Sequence, residues 1–132
     1  MKHQRKIKAI CSAILAVCVL ISLSISISAR YSHIALLYAE LSINENGYAS
    51  CGAECALNAN STAKAVLELQ QKKGSTWETI KEWSASGRKI SFDKAQFVAS
   101  GYDYRLKISA DIYDSNGNFV EDGTSYSTIE RF

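Results

Sequence analysis

The chain has 132 residues, 15 of them basic and 13 acidic, with four cysteines, no proline and a formal net charge of +2. That length allows one domain with its own hydrophobic core. The position of the charges excludes a basic nucleic-acid binder: Lys2, Arg5, Lys6 and Lys8 all precede Ala9, and residues 30–132 alone carry eleven basic against thirteen acidic residues, a balance of −2.

Those four cations lead into an uncharged run from Ala9 to Ile27, the layout of a secretion signal. Nineteen uncharged residues nearly suffice to cross a bilayer as a helix, so an uncleaved anchor is the alternative. Ser22, Ser24, Ser26 and Ser28 alternate with Ile and Leu and weaken the apolar end, while Ser26, Ser28 and Ala29 are small enough for a signal peptidase. This favours cleavage after Ser28 or Ala29. Cys18 does not suit lipidation, because Val17 is bulky and the apolar run continues through Val19, Leu20 and Ile21. Residues 1–29 are therefore expected to be a signal peptide and residues 30–132 a single secreted domain, with membrane contact only through the leader if it is retained.

All 13 aromatic residues follow Arg30, and apolar residues there recur at every second position between polar turns. Ala35, Leu37, Ala39, Leu41 and Ile43 share a face, and the strand ends in Asn44, Glu45, Asn46 and Gly47. The next strand points Ala49, Cys51, Ala53, Cys55 and Leu57 inward. Ala63 to Gln71 offers Ala65, Leu67 and Leu69. Trp77 to Trp83 is a short aromatic strand, with Trp83 as the bulky core residue of the middle. Arg88 to Phe97 holds Ile90 and Phe92 before its period breaks near Asp93. The clearest alternation runs from Tyr102 to Ile112, with Tyr102, Tyr104, Leu106, Ile108, Ala110 and Ile112 on one face and Asp103, Arg105, Lys107, Ser109 and Asp111 on the other. Asp114 to Asn118 is a hairpin turn in which Asn116-Gly117 supplies positive φ, and a last strand spans Phe119 to Ile129.

Seven strands at this spacing predict an all-β fold, an immunoglobulin- or fibronectin-III-like antiparallel β-sandwich. Tyr102 and Tyr104 open the penultimate strand, where such sandwiches place a tyrosine whose hydroxyl closes a corner onto nearby backbone. The stretch from Leu67 to Ile112, with Leu69-Gln70-Gln71, Trp77-Glu78-Thr79-Ile80-Lys81-Glu82-Trp83 and Gly101-Tyr102-Asp103-Tyr104-Arg105, resembles a family of short secreted proteins of Gram-positive bacteria. Members of that family have an immunoglobulin-like sandwich and no assigned activity. The resemblance implies fold and export and carries over no functional residue; Cys51 and Cys55 do not match its pattern.

Four residues along a straight strand span about 13 Å, whereas a disulfide needs Cα atoms within roughly 7 Å. A regular strand would keep Cys51 and Cys55 as buried thiols, and a bulge or turn at Gly52 would let them bond. A zinc site with them would have only His33 to draw on. Asp114, Asn116 and Asn118 alternate like the start of a calcium loop, but Gly117 falls at the fourth position and Ser125 at the twelfth, which suits a plain turn better. Catalysis has little raw material: His33 is the only histidine after the leader, and the adjacent acids Glu121 and Asp122 point to opposite faces of a strand.

No enzyme, cofactor or metal is expected. The residues point to a secreted or cell-surface-associated sandwich that binds a protein or glycan partner, with Trp77, Tyr48, Tyr113 and Tyr126 as the candidate ligand platform. The alternative is an assembly subunit joined through an unpaired edge strand; a small secreted hydrolase is the third reading.

Overall fold

Strands with one apolar and one polar face, joined by short turns, pair antiparallel with their neighbours. The computed structural model describes residues 31–58 and 60–132, so the expectations for residues 1–29 lie outside the described residues. Eight strands follow in chain order: β1 (Ile34–Ile43), β2 (Tyr48–Leu57), β3 (Ser61–Lys73), β4 (Thr76–Gly87), β5 (Lys89–Phe97), β6 (Asp103–Asp114), β7 (Phe119–Tyr126) and β8 (Glu130–Arg131). One sheet has the order β1-β2-β5. The other has the order β4-β3-β6-β7, with β8 pairing the start of β6 beyond the end of β7. The fold is all-β and sandwich-like.

The core lies between the sheets and is built from alternate residues. β2 contributes Ala49, Cys51, Ala53, Cys55 and Leu57, as the periodicity predicts, and β6 contributes Tyr104, Leu106, Ile108, Ala110 and Ile112. The side chains from β2 are mostly small and those from β6 mostly large, while β3 places Ala63 and Ala65 beside Leu67 and Leu69, and such alternation of large and small lets facing layers interdigitate. Trp83, expected in the middle, instead sits half-buried on the edge strand β4 opposite Leu67. The bulk comes from Tyr104. Its hydroxyl donates to the carbonyl of Ala99 at 2.5 Å and accepts from Gln71 Nε2 at 3.0 Å, so a fully buried phenol is satisfied twice. Tyr102 lies outside the strand and is exposed.

Three extra residues break the strict alternation. Ile34 and Leu36 pair with the consecutive residues Leu57 and Ala56, so Ala35 is squeezed outward and Ile34 takes the inward place expected of Ala35. Ile80 is the extra residue on β4, between Thr79 opposite Gln70 and Lys81 opposite Leu69. Val120 is the extra residue on β7. Each such bulge adds local twist to a strand at a sheet edge. The final strand expected through Ile129 is interrupted at Ser127, whose N–H donates to Leu106 O at 3.0 Å while its Oγ accepts from Leu106 N at 2.7 Å. A hydroxyl thus stands in for a main-chain carbonyl, and pairing resumes at β8.

The β1–β2 and β6–β7 turns use one design. Asn44 Oδ1 accepts from the N–H groups of Asn46 and Tyr48, and Asp114 Oδ1 accepts from those of Asn116 and Asn118. Gly47 N donates to Asn44 O, and Gly117 N to Asp114 O. Only the glycines have positive φ, 79° at Gly47 and 82° at Gly117, so Asn116 does not supply it as expected; this is a three-residue loop closed by a glycine bulge. Phe132 then covers the first turn. Its ring lies over Gly47, and its backbone exchanges hydrogen bonds with Gly101 and Tyr102 in the β5–β6 loop.

Candidate functional site

Residues on the outer face of the five-stranded sheet alternate with core residues, so Arg105 emerges between Tyr104 and Leu106 on β6. Its register partner on β3 is Gln70, and Arg105 Nε donates to Gln70 Oε1 at 2.8 Å. The guanidinium carbon lies 4.3 Å from the Trp77 ring centroid and 4.4 Å from that of Tyr126, so β4 and β7 each lend an aromatic wall. These four side chains cover one another. Gln70 is only 6% exposed although it belongs to the outer face, whereas Tyr126 remains 49% exposed.

Several charges near this stack are paired. Glu68 takes a hydrogen bond from Thr79 Oγ1 at 2.7 Å and lies 3.8 Å from Lys107 Nζ, Asp103 pairs with Arg131 at 3.0 Å, and Glu78 pairs with Lys73 at 3.1 Å. Arg105 has no carboxylate partner among the described residues, and its two Nη atoms make no hydrogen bond there.

The four aromatic residues expected to form one platform fall into three places. Trp77 and Tyr126 meet around Arg105. Tyr113 is on the same sheet six residues further along β6 than Lys107, the partner of Tyr126, or about 20 Å away at strand rise. It packs edge-to-face with Phe119 at 6.0 Å under Lys64 Nζ at 4.9 Å and lines an open notch of about 380 Å³ with Thr62, Asp114, Ser115 and Gly117. Tyr48 belongs to the other sheet, opposite Phe97 on β5 at 5.2 Å, and Phe97 is 67% exposed. That sheet's outer face also has a notch of about 180 Å³ over Gly52, flanked by Glu40, Asp93, Ser42 and Ser50. Nearby, the carboxylate of Glu54, then partial burial and Glu40, raise the pKa of the Tyr38 hydroxyl.

Cys51 and Cys55 are free, buried thiols on an uninterrupted β2, where Gly52 makes neither a bulge nor a turn. The geometry that would have bonded them is absent. Burial pushes the Cys51 thiol up to about 11 and raises that of Cys55. Asp114 spends one oxygen on its own turn, and among the described residues no group of three or more His, Cys, Asp or Glu side chains is placed to hold a metal ion.

Sequence reasoning missed Glu121 as a structural residue. Its Oε1 accepts from the N–H groups of His33 and Ile34 at 2.7 and 2.9 Å, with His33 Nδ1 3.7 Å from the other oxygen. The extra residue Val120 aims this carboxylate at the start of β1, and Asp122 points outward opposite Asp111. No protein-family model matches the chain, and no curated protein matches it.

Proposed function

We propose that this is an exported, non-catalytic recognition domain of the immunoglobulin/fibronectin-III class that binds a protein partner through the outer face of its five-stranded sheet. The class rests on strand order: β4 pairs with β3 beside β6 and β7 instead of joining β5, the arrangement of fibronectin type III, and the Tyr104 hydroxyl closes a corner onto Ala99. Export rests on the leader, and the likeness to short secreted Gram-positive proteins fits both.

One observation carries the binding role: Trp77, Arg105 and Tyr126 are clustered on an open sheet face. These are the three residue types that dominate the energetic centres of protein interfaces. Three of the four edges are less suited to assembly: β1, β4 and β7 each carry a bulge, and β4 adds Glu78, Lys81 and Glu82, all features that discourage strand addition, while the regular edge β5 carries Lys89, Asp93 and Lys94. Glu121, one of the two acids considered for hydrolysis, is engaged with the backbone of β1.

Capture of cell-envelope or host proteins by the immobilised protein tests this. Tyr126→Ala is expected to abolish capture of a specific partner that Tyr48→Ala, on the other sheet, retains. Equal capture by both variants, or loss only with Tyr48→Ala, would overturn the assignment of the face. Selective binding to a glycan panel instead would overturn the protein partner.

A further inference from the structure

Arg105 is the one cation of the stack, and its surroundings determine what it can still bind. The guanidinium carbon lies over two rings, Trp77 on β4 at 4.3 Å and Tyr126 on β7 at 4.4 Å. The inner faces of those rings are therefore closed to a sugar, which would have to stack on them. Gln70, itself buried, takes the Nε–H at 2.8 Å. The two Nη atoms remain, with no hydrogen-bond partner among the described residues.

A planar edge with parallel N–H groups fits a planar anion with two oxygens, and a carboxylate satisfies it with two hydrogen bonds. The aromatic walls reduce competition from water and hold the side chain in one rotamer, so less entropy is lost on contact than for a free surface arginine. Charge on the same face agrees: Glu68 and Asp103 are matched by Lys107 and Arg131, Glu82 stands opposite Glu68 on β4, and none of these acids pairs with Arg105. A long polyanion is a poor match, because residues 30–132 carry two more acidic than basic side chains.

We propose that Arg105 is the central contact of this face and receives a single aspartate or glutamate carboxylate from the protein partner, with Trp77 and Tyr126 as the walls that hold its guanidinium and Gln70 as the residue that sets its orientation. This rests on the reading of the sheet face given above and names the chemistry it recognises. Gln70 is a positioning residue: Gln70→Leu keeps the charge but releases Nε.

The test is an NMR titration of the 15N-labelled protein with N-acetyl-glutamate amide, using N-acetyl-glutamine amide as the uncharged control and methyl sulfate as a non-carboxylate anion. The expected result is a saturable shift of the Arg105 Nε–H and Trp77 indole N–H signals with the glutamate probe alone. Arg105→Lys keeps the charge without the planar fork and is expected to weaken the interaction about three- to tenfold. Arg105→Gln should abolish it, and thermal unfolding of each variant would show that the fold persists. Absence of any saturable shift, an equal response to the glutamine probe or to methyl sulfate, or unchanged binding in a folded Arg105→Gln would overturn the proposal. If Tyr126→Ala still abolishes partner capture while the carboxylate titration fails, the face binds by other chemistry; if both fail, the reading of the face falls with it.

Discussion

The β1–β2 and β6–β7 turns share their hydrogen bonds and the conformation of their glycine, yet they stand in different surroundings. A Cβ on Gly117 would meet open space, whereas one on Gly47 would lie 2.7 Å from Phe132 Cε1 and 2.8 Å from the Val98 carbonyl oxygen. Local chemistry decides that both segments turn. Tertiary packing decides what each turn supports, and only the first is built into the closure of one end of the sandwich, where Val98 N donates to Gly47 O and Phe132 reaches the β5–β6 loop.

The largest expected effect separates the two glycines. Gly117→Ala has only the left-handed conformation against it, about 1–2 kcal/mol, while Gly47→Ala adds a steric conflict and should lose about 3–5 kcal/mol in urea unfolding. Equal losses would mean that Phe132 does not cover the first turn. Phe132→Ala should cost about 1–2 kcal/mol, since its ring is only half-buried, and combining it with Gly47→Ala should recover about 1 kcal/mol or more of the summed loss. Strict additivity would break the proposed contact.

Cys51, four residues along β2 from Gly47, reports on the same end. Its protonated thiol should label slowly at pH 8, and Gly47→Ala should speed labelling beyond what its loss of global stability explains, whereas Gly117→Ala should speed it only in proportion. Because burial raises this thiol from 9.0 to about 11, the unfolded chain ionises first, so the contribution is fully present below about pH 9 and lost as the pH rises towards 11. Cys51→Ala should flatten that limb of a stability–pH curve. The smallest effects should come from Asn44→Ala and Asp114→Ala, about 0.5–1.5 kcal/mol each for the loss of a side-chain acceptor. A large difference between them would show that the two turns differ in local chemistry as well as in cover.

The strands most legible in the sequence were β2 and β6, because one face of each is wholly buried and the other meets polar surroundings. The β6–β7 turn was equally plain from Asp114 to Asn118. Ala35, Ile80 and Val120 could not be identified as extra residues, since a bulge is a property of two strands and hydrophobic period is a property of one. Trp83 was misplaced for a related reason: size suggests the centre, but β4 is an edge strand that offers only partial cover. Trp77 and Tyr126 stood out as outward aromatics, and Arg105 fell on the polar face of its strand, yet their meeting depends on diagonal neighbours across four strands. Glu121 lacked any signal, because its partners are backbone groups 87 and 88 residues away.

Two sulfurs four positions apart on an extended strand also place a condition on how the chain reaches its native state. Before folding, the flexible segment around Gly52 can bring Cys51 and Cys55 together, and an oxidant would then tie a small ring that cannot straighten into β2. After folding, the same pair is held apart at about 13 Å by strand rise and shielded from reagents. Where an oxidant is present, collapse and oxidation would compete for one segment of chain.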